Sequence, residues 1–215
     1  MVNEEMIQYV ERLLPKKEEA IVEIERYARE HNVPIMDALS IETMLHMLKL
    51  VQPMRILEIG TAIGYSAIRM AKALPHVHIV TIERDEERYK QALVYVEQTN
   101  TKEQITLLFG DALDMGDEVK KHAPFDVLFI DAAKGQYRRF FELYEPLLSE
   151  RGIIITDNVL FKGLVATHEP IEQKRIRQLI KKIQAYNEWL MAHPRYETVI
   201  IPIGDGIAIS RKRGE

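Results

Sequence analysis

Asp131, Asp157, Asn158 and Lys134 are the residues of this sequence whose types and spacing could do chemistry. Each follows the end of an apolar run. Phe125–Ile130 reads as a buried strand ending in Asp131-Ala132-Ala133-Lys134, and residues 153–156 read as another ending in Asp157-Asn158. In an open parallel sheet, ligands gather at the carboxyl ends of the strands. Two carboxylates and an amide oxygen supply hard donors for half of an octahedral Mg²⁺-type shell, with the other positions left to water and substrate. Taken singly, acids after strands are ordinary caps and turn formers. The set, with a lysine three residues beyond its first acid, points to metal-assisted proton removal. Beside a dication the ammonium form of Lys134 is disfavoured, which moves its pKa toward the range where a general base is useful.

A second constellation lies upstream. Residues 56–66, Ile-Leu-Glu-Ile-Gly-Thr-Ala-Ile-Gly-Tyr-Ser, run a strand into a glycine turn and then an amphipathic helix carrying Ile68, Ala71 and Leu74. Gly60 and Gly64 would let the backbone pass close to a ligand, and the helix start beyond them offers free N–H groups to an anion. A dinucleotide site would want Gly-x-Gly-x-x-Gly, but Ala62 occupies the middle glycine position. The short form, with Glu58 two residues before the first glycine, suits a nucleoside without a pyrophosphate. The next apolar run, 77–82, ends in Glu83, where an acid can accept both ribose hydroxyls.

The elements that must position these residues follow from the rest of the chain. Its 215 residues, 47% of them hydrophobic, suffice for one good core. We expect a single domain, with a helical cap over 1–52 and a core over 53–215. Met6, Val10, Leu13 and Leu14, then Ile21, Ile24, Tyr27 and Ala28, recur at helical spacing on either side of Pro15. A third helix is predicted from Ser40, as N-cap, to Val51, stopped by Pro53. Strands are then predicted at Arg55–Ile59, 78–82, Ile105–Phe109, Phe125–Ile130 and 153–156, alternating with helical stretches. That alternation is the signature of a doubly wound α/β fold with a mostly parallel sheet. Residues 197–203 and 207–211 flank Gly204-Asp205-Gly206, a hairpin signal that makes the last strand antiparallel.

Composition narrows the function classes. A net charge of −4 argues against general polyanion binding while leaving room for a local basic patch. Cysteine is absent, which excludes disulfides and thiolate metal sites and fits a reducing cytoplasm. No run approaches the roughly 18 apolar residues of a membrane span. The acidic N-terminus lacks the basic and apolar regions of a signal peptide, so a cytoplasmic location is expected. The seven histidines show no metal spacing; His76 and His78 read as solvated turn and strand-edge residues. Lys174, Arg175, Arg177, Lys181 and Lys182 form one face of a helix whose buried stripe is Ile176, Leu179, Ile180 and Ile183. That face, with Arg138 and Arg139, could be the patch that meets phosphates. Tyr186 and Trp189 read as core or dimer contacts.

Glu58-x-Gly60-x-x-x-Gly64-Tyr65-Ser66, Glu83, Gly110-Asp111-Ala112, Asp131-Ala132-x-Lys134, Asp157-Asn158-Val159 and Pro202-x-Gly204-Asp205-Gly206 together resemble the metal-dependent O-methyltransferases of the catechol and caffeoyl-coenzyme A type. The resemblance runs from about Met36 to Ser210. It implies S-adenosylmethionine as methyl donor and a Rossmann-like sheet of seven strands closed by the C-terminal hairpin. By motif position, Glu83 would hold the ribose, Ser66 and the Gly60 loop the methionine moiety, and Asp111 and Ala112 the adenine. Met36, Glu58 and Asp131 complete the implied cofactor set. The implied metal, Mg²⁺ or Mn²⁺, falls to Asp131, Asp157 and Asn158, and the catalytic pair is Lys134 with Asp131. Within the family, the sequence as a whole is most similar to bacterial tRNA 5-hydroxyuridine methyltransferases.

Two acceptors are compatible with one metal clamp. A catechol-like diol presents adjacent ring oxygens. So does 5-hydroxyuridine, whose 5-hydroxyl neighbours O4 and whose base can be splayed from a single-stranded anticodon loop. The expected acceptor is the wobble 5-hydroxyuridine of tRNA, converted to 5-methoxyuridine, with phenols as the alternative and a homodimer as the expected assembly. An NAD-dependent oxidoreductase is disfavoured by Ala62 and the lack of a hydride-transfer constellation. A non-catalytic nucleoside-binding module would not need Asp131, Asp157, Asn158 and Lys134 together.

Overall fold

A computed structural model of the protein describes residues 4–167 and 170–214. Three helices, α1 (Glu4–Leu13), α2 (Glu19–Glu30) and α3 (Ala38–Val51), precede the sheet. There follow β1 (Arg55–Ile59), α4 (Tyr65–Ala73), β2 (His78–Glu83), α5 (Glu86–Gln98), β3 (Ile105–Phe109), α6 (Gly116–Lys120), β4 (Phe125–Ile130), α7 (Tyr137–Tyr144) and β5 (Leu148–Thr156). A long helix, α8 (Lys174–Met191), leads into the hairpin of β6 (Tyr196–Ile201) and β7 (Ile207–Lys212).

The seven strands lie in the order β3-β2-β1-β4-β5-β7-β6. The first five are parallel, and β7 runs antiparallel to both neighbours. This is the predicted doubly wound architecture, antiparallel hairpin included. The strand order reverses between β1 and β4, so a crevice opens beyond the carboxyl ends of those two strands. Both faces of the sheet are covered, which is why its strands read as nearly continuous apolar runs. In β4, Val127 and Phe129 pack with Ile41, Met44, Leu48 and Ile68 on one face. Leu128 and Ile130 pack with Tyr137, Phe141, Tyr144 and Tyr186 on the other.

Several boundaries differ from expectation. The N-cap of α3 is Asp37, whose carboxylate accepts the N–H groups of Leu39 and Ser40; Ser40 is buried inside the first turn. Helix α1 forms at the expected spacing but buries none of its residues. Strand β5 begins at Leu148, before the polar Ser149-Glu150-Arg151, because Leu148 pairs with Phe125 ahead of a register shift. His78 stands at the edge of its strand as expected, half-buried as the first residue of β2, with its ring 2.9 Å from the Thr106 hydroxyl. Tyr186 and Trp189 pack into an aromatic cluster with Phe141 and His193, the core placement expected of them. Among the described residues no helix is long and apolar enough to cross a membrane.

Candidate active site

The carboxyl ends of the parallel strands are stitched into a line by the first N–H after each strand. Gly110 donates to Glu83 O, Gly60 to Ile82 O, Asp131 to Ile59 O and Asp157 to Ile130 O, at 2.9 to 3.1 Å. Side chains leaving this line converge on one cavity of about 370 Å³, within the usual range for small-ligand sites. Its lining includes Gly60, Glu83, Asp111, Ala112, Asp131, Lys134 and Asn158. Pro34 and Ile35, from the connection between α2 and α3, complete the wall.

The glycine turn holds one end of the cavity. Gly60 has φ +103°, and a Cβ there would lie 2.1 Å from the carbonyl oxygen of Asp131, so only glycine lets the β1 and β4 loops approach this closely. Glu83 fastens the turn from below. One carboxylate oxygen accepts the Ala62 N–H at 2.7 Å, and the other accepts those of Arg84 and Asp85 at 2.9 and 2.8 Å. The oxygen facing Ala62 keeps lone-pair capacity for a hydroxyl donor from the cavity. Further along the wall, Asp111 accepts the Leu113 N–H and pairs with Arg84, which together hold its pKa below the usual carboxylate value.

At the other end, Asp131, Asp157 and Asn158 come together as expected. The Asn158 amide nitrogen lies 3.2 Å from Asp131 Oδ1 and 2.8 Å from Asp157 Oδ2. Burial raises the pKa of both aspartates, and the charge of Asp131 raises that of Asp157 further. The second oxygen of Asp157 is buried without a hydrogen-bond partner. Two crowded carboxylates with an orphaned oxygen make a site short of positive charge. Turning the Asn158 amide by half a turn puts its carbonyl oxygen between the same two carboxylates. Among the described residues no group of three His, Cys, Asp or Glu side chains could hold a metal; the third polar side chain of this cluster is an amide. Lys134 stands beside this group with its pKa lowered by burial, while Asp131, Asp157 and Asp205 pull it upward.

A family profile described as O-methyltransferase matches residues 13–213. The chain belongs to the O-methyltransferase family. It is 31% identical to caffeoyl-CoA O-methyltransferase 1 of Arabidopsis thaliana over 220 aligned positions, covering 98% of this chain and 85% of that protein. A crystal structure from Staphylococcus aureus, of a protein provisionally named a caffeoyl-CoA O-methyltransferase, superimposes with a TM-score of 0.91 at 37% identity, covering 96% of this chain and 98% of that one. The O-methyltransferase from Bacillus cereus in complex with SAH superimposes at 0.82, with 26% identity and 96% of each chain covered.

Three residues that the resemblance assigns to the O-methyltransferase cofactor site lie off the cavity wall. Ser66 donates to Glu58, which also accepts from Thr81, so both side chains sit beneath the glycine turn and brace it. Met36 is buried and lines a neighbouring cavity under α1 and α2 instead. Sequence reasoning missed Asp205 and Phe161, which stand next to Lys134. Asp205 lay hidden in a glycine-flanked hairpin signal that accounts for it fully as a turn former.

Proposed function

We propose that this member of the O-methyltransferase family moves a methyl group from S-adenosylmethionine to a hydroxyl that neighbours a second oxygen, with help from a divalent cation. One observation carries the reading. A single cavity has a nucleoside-suited glycine turn with Glu83 at one end and Asp131, Asn158 and Lys134 at the other, with Asp157 buried directly behind Asn158. Binding of SAH, the demethylated donor, by the related Bacillus cereus enzyme supports the choice of cofactor.

In this reading Glu83 accepts the ribose hydroxyls, the Gly60 turn admits the methionine end of the donor, and Asp111 and Ala112 flank the base. S-adenosylmethionine supplies the sulfonium methyl group. A cation held by Asp131, Asp157 and Asn158 supplies positive charge that favours the oxyanion form of the acceptor. Lys134 Nζ takes the proton from the acceptor hydroxyl. Asp131 and Asp157 hold its pKa up while burial pushes it down; with their charge compensated by a bound cation, burial would dominate. The walls keep donor and acceptor in line and exclude water.

The acceptor we assign is 5-hydroxyuridine in tRNA. The basic residues border the mouth of the cavity: Lys182 lies against Gly135, and Arg139 donates to Gln136, itself part of the wall. Lys174, Arg175 and Lys181 are exposed on the same helix. Catechol-like phenols are the second reading, favoured by the name of the Arabidopsis relative, caffeoyl-CoA O-methyltransferase 1. The deciding assay offers labelled S-adenosylmethionine with hydroxyuridine-bearing tRNA and, separately, with catechols. Label entering the tRNA is expected, and label entering only the catechol refutes the acceptor. Asp157→Ala and EDTA should each lower transfer by at least about 100-fold, with Mg²⁺ or Mn²⁺ reversing only the second. Full activity in excess chelator would remove the cation from the scheme.

A further inference from the structure

The turn after Asn158 holds a run of backbone that side chains resist. Phe161, Lys162 and Gly163 have φ of +43°, +56° and +73°. Non-glycine residues enter this left-handed region singly and at a cost, and a bulky one there is an outlier. Such strain persists only where surrounding structure over-determines it, and it clusters at functional sites.

The constraint comes from the tip of the β6–β7 hairpin. The backbone carbonyl of Asp205 accepts the N–H groups of Leu160 and Phe161 at 2.8 and 3.1 Å, and that of Gly206 accepts Val159 at 3.0 Å. The Asp205 carboxylate reaches further and accepts the Lys162 N–H at 3.1 Å. It is thus the side chain that fixes the second left-handed residue. The hairpin tip is held from its other side, where Gly204 lies against Asp37 and Ser40 of the α3 cap.

The conformation has a consequence at the site. It lays the Phe161 ring 5.7 Å from Lys134 Nζ. Among the described residues the Lys134 ammonium has no hydrogen bond or ion pair, and the Phe161 ring is the aromatic face it is set over, with the charges of Asp131, Asp157 and Asp205 acting on it from nearby. We infer that Asp205 is a positioning residue: its carboxylate holds Lys162 left-handed, which keeps Phe161 against Lys134 and Lys134 aimed into the cavity. The inference rests on the methyl-transfer reading only for what Lys134 does there.

Three variants test it: Asp205→Ala, Asp205→Asn, and Asp205→Ala combined with Lys162→Gly. Alanine removes the acceptor, asparagine keeps one without the charge, and glycine at 162 adopts the left-handed backbone unaided. With hydroxyuridine-bearing tRNA, Asp205→Ala should lower kcat about tenfold through misplacement of Lys134. Its affinity for S-adenosylmethionine, measured by calorimetry, should be unchanged. Asp205→Asn and the double variant should each recover most of kcat. A readout independent of turnover is the upfield ring-current shift of the Lys134 methylene protons by NMR, lost in Asp205→Ala and restored in the other two. Equal losses in Asp205→Ala and Asp205→Asn, or no recovery on adding Lys162→Gly, would overturn the inference. If the wild-type protein transfers no methyl group, the methyl-transfer reading fails and the NMR comparison alone decides the clamp.

Discussion

Glu58 shows how a residue beside a site can be shaped by the interior. It is fully buried beneath the glycine turn, and burial raises its pKa to about 7, against the partial relief of hydrogen bonds from Ser66 and Thr81. The folded state therefore holds this proton more tightly than the unfolded chain does. The corresponding stability is fully present below the unfolded value of 4.5 and is lost as pH rises through about 7. Glu58→Gln should abolish that loss, raising Tm relative to wild type at about pH 8 but not at about pH 5, with a gain on the order of 3 kcal/mol. A Tm difference that stays the same at both pH values would mean the carboxylate is charged inside. The oxygens of Glu83 accept three backbone N–H groups, and the residue lines the cavity. Glu83→Ala should weaken S-adenosylmethionine binding by about ten- to a hundredfold in calorimetry, since it removes a charged acceptor and loosens the turn. Tight NADH binding would overturn the cofactor class. That Asp131, Asp157, Asn158 and Glu83 come together was legible because strand ends are visible in sequence and the sheet brings those ends together. That Glu58 and Ser66 bond to each other and not to the cavity was not, because sequence does not tell a side chain beneath a turn from one above it.

The strands were legible where hydrophobic runs are short and bounded by polar residues. Arg55–Ile59, Ile105–Phe109 and Phe125–Ile130 form as expected from their apolar runs. The helix caps were less legible, because the choice between Asp37 and Ser40 as N-cap of α3 turns on a distant partner. Asp37 wins because its carboxylate accepts two N–H groups of the first turn and the Ser40 hydroxyl as well, all pressed against the β6–β7 hairpin. At Gly204, with φ +52°, a Cβ would lie 1.9 Å from Asp37 Oδ2. Asp37→Ala should cost about 1 kcal/mol as a lost cap. Gly204→Ala should cost more, about 1–3 kcal/mol, from left-handed strain plus displacement of that carboxylate. Because both changes act on one contact, the double variant should lose less than the two single losses together. Urea unfolding of all four proteins measures the coupling; strict additivity would show that cap and hairpin do not act on each other.

At the scale of the whole molecule, a net charge of −4 is combined with a basic band that runs from the Gly135 loop along α8. That asymmetry matters for the acceptor more than any single contact does. A small neutral phenol needs only the cavity, and its KM should barely respond to ionic strength. A tRNA would lay phosphates along the band, and each neutralised phosphate releases counterions, so its binding should weaken steeply with salt. Not every cation on the band is available. Arg177 is turned back onto the carbonyls of Ile171 and Glu172, and Arg138 is paired with Glu142 and stacked on Trp189. Lys182 and Arg139, beside the cavity mouth, are therefore the residues to reverse. Lys182→Glu and Arg139→Glu should raise the KM for tRNA by about tenfold together and flatten its salt dependence, while leaving S-adenosylmethionine affinity unchanged. Filter binding across a salt series, alongside calorimetry for the donor, separates the outcomes. If tRNA affinity proves insensitive both to salt and to these reversals, the band is a solvated helix face and the phenolic acceptor takes its place.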